Sequence, residues 1–168
     1  ALNQSMPAQL FSLNHIYRVA ATTPCHGPRC TGLALVGWSQ PAINCLNPAR
    51  IGMLDTSVAT DHPALQGQSI VTRRFAENDS TPDTTHGTAV ASLLVGDATS
   101  EFPGLLQGSS LFAGDVFTHD QEGGLRSNAL MLAEGVDWLL EQRVSVVNIS
   151  IAGPADRVLQ LAMLRLVD

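Results

Sequence analysis

The sequence has little charge, few aromatics and no long apolar run. Charged residues make up 14 % of its 168 residues and aromatics 5 %. No stretch approaches the length of a membrane span, and no charged-then-apolar leader opens the chain. Neither Gly-x-Gly-x-x-Gly nor Gly-Lys-Ser/Thr occurs, so both nucleotide-binding signatures are missing. No internal repeat is visible. Positive charge is scarce, and a net charge of −6 argues against nucleic acid and anionic membrane as partners. What remains is a 45 % apolar composition, which excludes a disordered chain, and a length sufficient for one domain with a real core.

Cysteine is limited to Cys25, Cys30 and Cys45. His26 adds one candidate ligand, short of the four-ligand pattern of a structural zinc site, so no metal is expected there. The expectation is a disulfide plus one spare thiol, with the local pair Cys25–Cys30 first among three pairings. Three ordinary thiols are the plainer alternative. A disulfide would indicate an oxidising compartment, and the expected location is secreted or periplasmic.

Three motifs carry chemistry. In Thr84 to Gly96, His86 stands where a loop turns into a helix. Gly87, Thr88 and Ala89 keep the next turn small, and Ala91, Leu94 and Val95 form an inward face. Upstream, Arg50 to Val58 is a short apolar strand that ends abruptly in Asp55. Strand carboxyl ends of parallel α/β folds are where ligands and catalytic groups collect. Val144 to Pro154 is expected to be a buried strand with a polar, glycine-containing end. A lone histidine at a helix start is more often a cap or a core residue. The pairing with Asp55 changes that balance.

In order and spacing, Leu54-Asp55-Thr56-Ser57, His86-Gly87-Thr88 and Asn148-Ile149-Ser150-Ile151-Ala152-Gly153 resemble the motifs of the subtilisin-like serine peptidases. The resemblance runs from about Arg50 to the end. It implies a serine endopeptidase with Asp55 as the acid and His86 as the base of an Asp/His/Ser triad. That chain order is already established for subtilisin and is not inferred from this sequence. It implies that Ser150, Ile151, Ala152 and Gly153 bind the substrate peptide as an added β-strand, and by position that Gly123 and Gly124 flank it. Ser57 and Ala152 stand where the family usually has glycine. Ala64 replaces a usual acidic calcium ligand, so no cofactor is expected, with calcium left open. The family's nucleophile motif, Gly-Thr-Ser-hydrophobic-Ala, does not occur. The only Gly-Thr pair, Gly87-Thr88, belongs to the histidine motif.

The expected fold is α/β, a three-layer, doubly wound, mostly parallel sheet truncated on the C-terminal side. Alternating strands and helices imply the parallel sheet. Residues 1–20 read as a tail or linker, with Asn14 to Arg18 starting ordered structure on Ile16, Tyr17 and Val19. Residues 21–168 read as the N-terminal portion of the catalytic domain. Phe117 to Gly124 reads as a surface loop. Asn128 to Gln142 is the clearest helix, with Leu130, Leu132, Ala133, Val136, Leu139 and Leu140 as its apolar stripe. Pro154 suits the start of a last helix. Expected partners are a peptide or protein substrate, the missing C-terminal portion, a pro-domain and, through an uncovered face, a second copy. The alternative function is a non-catalytic peptide-binding module or pseudoenzyme on the same scaffold. An unrelated nucleotide-binding α/β domain is the third reading, and it lacks any signature.

Overall fold

The computed structural model describes residues 14–19, 48–76, 81–100 and 103–166. Cys25, Cys30 and Cys45 lie outside these residues, and so does the proposed disulfide. The strands are β1 (Ile16–Val19), β2 (Arg50–Asp55), β3 (Ile70–Arg74), β4 (Ser110–Asp115), β5 (Thr118–His119), β6 (Leu125–Asn128), β7 (Val146–Ile149) and β8 (Ile151–Ala152). The helices are α1 (Thr85–Val95), α2 (Ala129–Glu141) and α3 (Arg157–Leu164), with a 3-10 turn at Pro63–Leu65.

Four strands form a parallel sheet in the order β3-β4-β2-β7. Side chains alternate across it, as the pleat requires. Ile51, Met53, Leu111 and Ala113 point to one face and pack with Ala91 and Val95 of α1 and with Leu65. Leu54 and Phe112 point to the other face and pack with Leu132, Val136, Trp138 and Leu139 of α2 and with Leu159 and Ala162 of α3. Helices therefore cover both faces, which makes three layers. β2 and β4 lie between partners and between helices, so both faces of each are apolar.

α2 begins where the sequence expects it, because Asn128 caps it: its side-chain oxygen accepts from Met131 N–H at 2.9 Å. Leu130, placed in the apolar stripe by sequence, is instead 52 % exposed. α3 starts at Arg157 and not at Pro154. Asp156 is its cap, accepting from Leu159 N–H at 2.9 Å, while the Pro154 carbonyl accepts from the Tyr17 hydroxyl at 3.1 Å.

Two readings of irregular or buried segments change. Phe117 to Gly124 is not a plain surface loop, because β5 and β6 pair antiparallel across it. The turn is closed by Asp120, whose Oδ1 accepts from Glu122 N–H at 3.0 Å and Gly124 N–H at 2.7 Å. β7 is not a buried strand. It pairs with β2 on one side only among the described residues, which leaves Val146 54 % exposed.

A second, small sheet has the order β5-β6-β1-β8. β1, inside the stretch read as a tail, is antiparallel to β6 and to β8. Tyr17 is its buried anchor, and Ile16 stays exposed. The Tyr17 ring lies against Gly153, where a Cβ would come within 2.2 Å of Tyr17 Cδ1. His15 Nδ1 lies 2.7 Å from Asp156 Oδ2 and adds a second tie between the two segments.

Candidate active site

Asp55 is the last residue of β2 and is fully buried. His86 is the second residue of α1, thirty-one positions later, and its Nδ1 lies 2.6 Å from Asp55 Oδ1. Facing an ionised carboxylate, which only accepts, a neutral imidazole would donate from Nδ1 and leave the lone pair on Nε2. The imidazole is about one-third exposed, with a side-chain accessibility of 31 %. Among the described residues Nε2 has no hydrogen-bond partner. The arrangement sets a solvent-facing imidazole against a buried carboxyl group.

The backbone around the pair is tied from both sides. Asp55 Oδ1 also accepts from Thr56 N–H at 2.7 Å. Thr56 Oγ1 accepts from Gly87 N–H at 2.8 Å, joining the loop after β2 to the first turn of α1. Ala59 N–H donates to Thr88 Oγ1 at 2.9 Å and makes a second joint. Asp55 Oδ2 is buried and has no partner among the described residues. Such an oxygen is an unmatched acceptor.

Neither serine beside the motifs is bonded to the histidine. Ser92 Oγ donates to the Thr88 carbonyl at 2.8 Å, and Ser57 Oγ donates to Asp115 Oδ2 at 2.5 Å. His62 caps the 3-10 turn, its Nδ1 accepting from Ala64 N–H at 3.2 Å, in line with a structural role. Ala64 brings no carboxylate, and among the described residues no group of three His, Cys, Asp or Glu could hold a metal.

The other sequence-predicted residues fall in two places. Ser150 sits at the same sheet end as Asp55, its N–H donating to the Leu54 carbonyl at 3.3 Å, and its Oγ accepts from Asn148 Nδ2 at 2.9 Å. Ile151 and Ala152 form β8 and pair with Val19 and Arg18. Gly153 lies against Tyr17. Gly123 and Gly124 lie in the β5–β6 turn, and β1 stands between that hairpin and β8. The sequence reading missed Thr56, which joins the loop to the helix, and Asp115, a buried carboxylate paired with Asp55 in the β2–β4 register. Its signal was a lone acid at the end of an apolar strand.

The profile of the Subtilase family matches residues 48–162. This chain is a member of the subtilase family. It is 26 % identical over 114 residues to the major intracellular serine protease of Bacillus subtilis, and 27 % identical over 110 residues to thermitase of Thermoactinomyces vulgaris. The matches cover 64 % and 62 % of this chain but only 35 % and 38 % of those proteins. The chain thus spans little more than a third of the curated relatives it matches. Among solved structures it resembles the patellamide maturation protease PatA, with a TM-score of 0.56 and 26 % identity over 70 % of this chain and 43 % of that one. The subtilase fold carries over to this chain. The secreted or periplasmic location does not hold. A relative named for its place inside the cell overturns it, since family membership then indicates no compartment.

Proposed function

We propose that this chain supplies the acid and the base of a subtilisin-like serine endopeptidase, with Asp55 orienting His86 and His86 taking the proton of a serine hydroxyl. The single observation that carries this reading is the 2.6 Å contact between a fully buried carboxylate and a part-exposed imidazole at adjoining strand and helix ends. The nucleophile and the side-chain oxyanion donor would come from a segment that is not in this sequence. Both the covalent and the electrostatic contributions to rate are then missing from the 168 residues alone.

Ser150 to Gly153 would hold the peptide by main-chain pairing, with the Ala152 methyl narrowing the nearby pocket and Gly123 and Gly124 flanking from the hairpin. An extended substrate adding to β8 would replace β1, which occupies that edge. Peptide or protein substrates follow from the family, and among the described residues no helix is long and apolar enough to cross a membrane.

The test is a fluorogenic peptide assay on the purified chain, alone and after addition of the downstream remainder of its reading frame. The expected outcome is no hydrolysis by the chain alone and hydrolysis on reconstitution. His86→Ala should abolish the reconstituted activity, and in subtilisin itself loss of one triad member costs roughly 10⁴ to 10⁶ in kcat. A reconstituted protein whose activity survives His86→Ala would sink the proposal.

A further inference from the structure

We infer that Ser57 and Asp115 form a positioning pair that holds the Asp55–His86 couple in register, an inference that rests on the catalytic reading of that couple. Ser57 stands where the family resemblance leads one to expect glycine, and its hydroxyl is not idle. It donates to Asp115 Oδ2 at 2.5 Å, across from the neighbouring strand. Asp115 is 5 % exposed and is the register partner of Asp55, so the two carboxylates end adjacent strands side by side.

The geometry gives Ser57 leverage over the base. The first turn of α1 rests on the Thr56–Ser57 backbone: a Cβ on Gly87 would lie 2.3 Å from the Thr56 carbonyl oxygen and 2.5 Å from that of Ser57. Gly87 N–H is also bonded to Thr56 Oγ1. His86 immediately precedes Gly87. A displacement of the Thr56–Ser57 peptide is therefore passed to the imidazole with almost no slack, and Ser57 is tethered on its other side to β4 through Asp115. Small misplacements of a catalytic group carry large rate penalties.

Asp115 is built to receive that tether. Its Oδ2 takes the Ser57 hydroxyl and has the Arg74 guanidinium 3.7 Å away, and its Oδ1 accepts from Phe117 N–H at 3.2 Å. Burial pushes its carboxyl above the usual carboxylate range. The Ser57 hydroxyl, the Phe117 N–H and Arg74 pull it back, and the neighbouring Asp55 adds to the rise. Because both oxygens receive donors, an amide cannot replace the carboxylate without setting one donor against another.

The experiment uses the full-length protein that carries this chain. Ser57→Ala is expected to lower kcat about tenfold with KM within about twofold, since the base shifts while β8 is untouched. Ser57→Thr keeps the hydroxyl and should return most of the rate. Asp115→Asn should behave like Ser57→Ala, and the double variant should lose little more than either single one, because both cut the same tether. Unchanged kcat in both single variants overturns the inference. Where Ser57→Ala does not fold, a folded and fully active Asp115→Asn overturns it. The low-field proton resonance of the His86 Nδ1–H bond separates the two readings. Its absence in the wild type overturns the couple and its brace together. Its presence, unmoved by Ser57→Ala, overturns the brace alone.

Discussion

Gly87 has no room for a side chain. Its Cβ would meet backbone oxygens of Thr56 and Ser57, neither of which can swing aside as a flexible side chain could. Gly87→Ala is therefore expected to cost about 1–3 kcal/mol by overpacking, read from urea unfolding. A change of only a few tenths would show that the loop and α1 are not in close contact. The second residue-scale prediction concerns Asp115. Its folded-state carboxyl titrates above the ordinary value, so the native state holds that proton more tightly than the unfolded chain. Its contribution to stability is full at low pH and is lost as pH rises through the folded-state value. Asp115→Asn removes the titration. The wild type should therefore lose stability relative to this variant as pH rises from about 4. Unfolding curves at a series of pH values check this, and a constant or oppositely moving gap would contradict it.

At the scale of elements, α2 holds the sheet face beneath it through one cap and one aromatic cluster. Asn128→Ala removes the side-chain acceptor for Met131 N–H and should cost about 1 kcal/mol. Trp138 is 6 % exposed and sits 5.8 Å from the Phe75 ring and 6.3 Å from the Phe112 ring, centroid to centroid. Trp138→Ala should cost about 3–5 kcal/mol, because the cavity spans helix and sheet and neither can close it alone. Denaturant midpoints of the two variants should separate clearly. Similar midpoints would mean that the helix end, not the aromatic cluster, limits stability.

At the scale of the whole molecule, a sheet edge at β7 and a helix face are left uncovered among the described residues. β7 offers its outer edge, and Val158, Leu161 and Leu164 recur every three residues along α3 and stay exposed. Exposed strand edges and apolar faces of this kind favour association. The isolated chain is expected to self-associate with rising concentration in sedimentation velocity, and Leu161→Lys with Leu164→Lys should weaken that association. A monomer at all concentrations would show that the face is tolerated bare.

By itself, the sequence determined the parallel α/β class, because β2 and β4 are continuous apolar runs and α2 has a helical period closed by an Asn cap. It singled out Asp55 and His86 as a candidate pair as well, since each stands next to a small-residue turn that leaves a visible mark in the chain. The hairpin of β5 and β6 was less legible, because its strands are short and its turn is held by one aspartate, not by an apolar pattern. Only the tertiary structure decided that β7 is an edge, since a strand's own residues do not say whether anything pairs beyond it. It alone placed β1 along β8, a contact across more than a hundred residues for which Tyr17 and Gly153 carry no local signal. It alone set Asp115 beside Asp55, because strand register brings together residues sixty positions apart, and a hydroxyl on Ser57 has meaning only once that carboxylate is within reach.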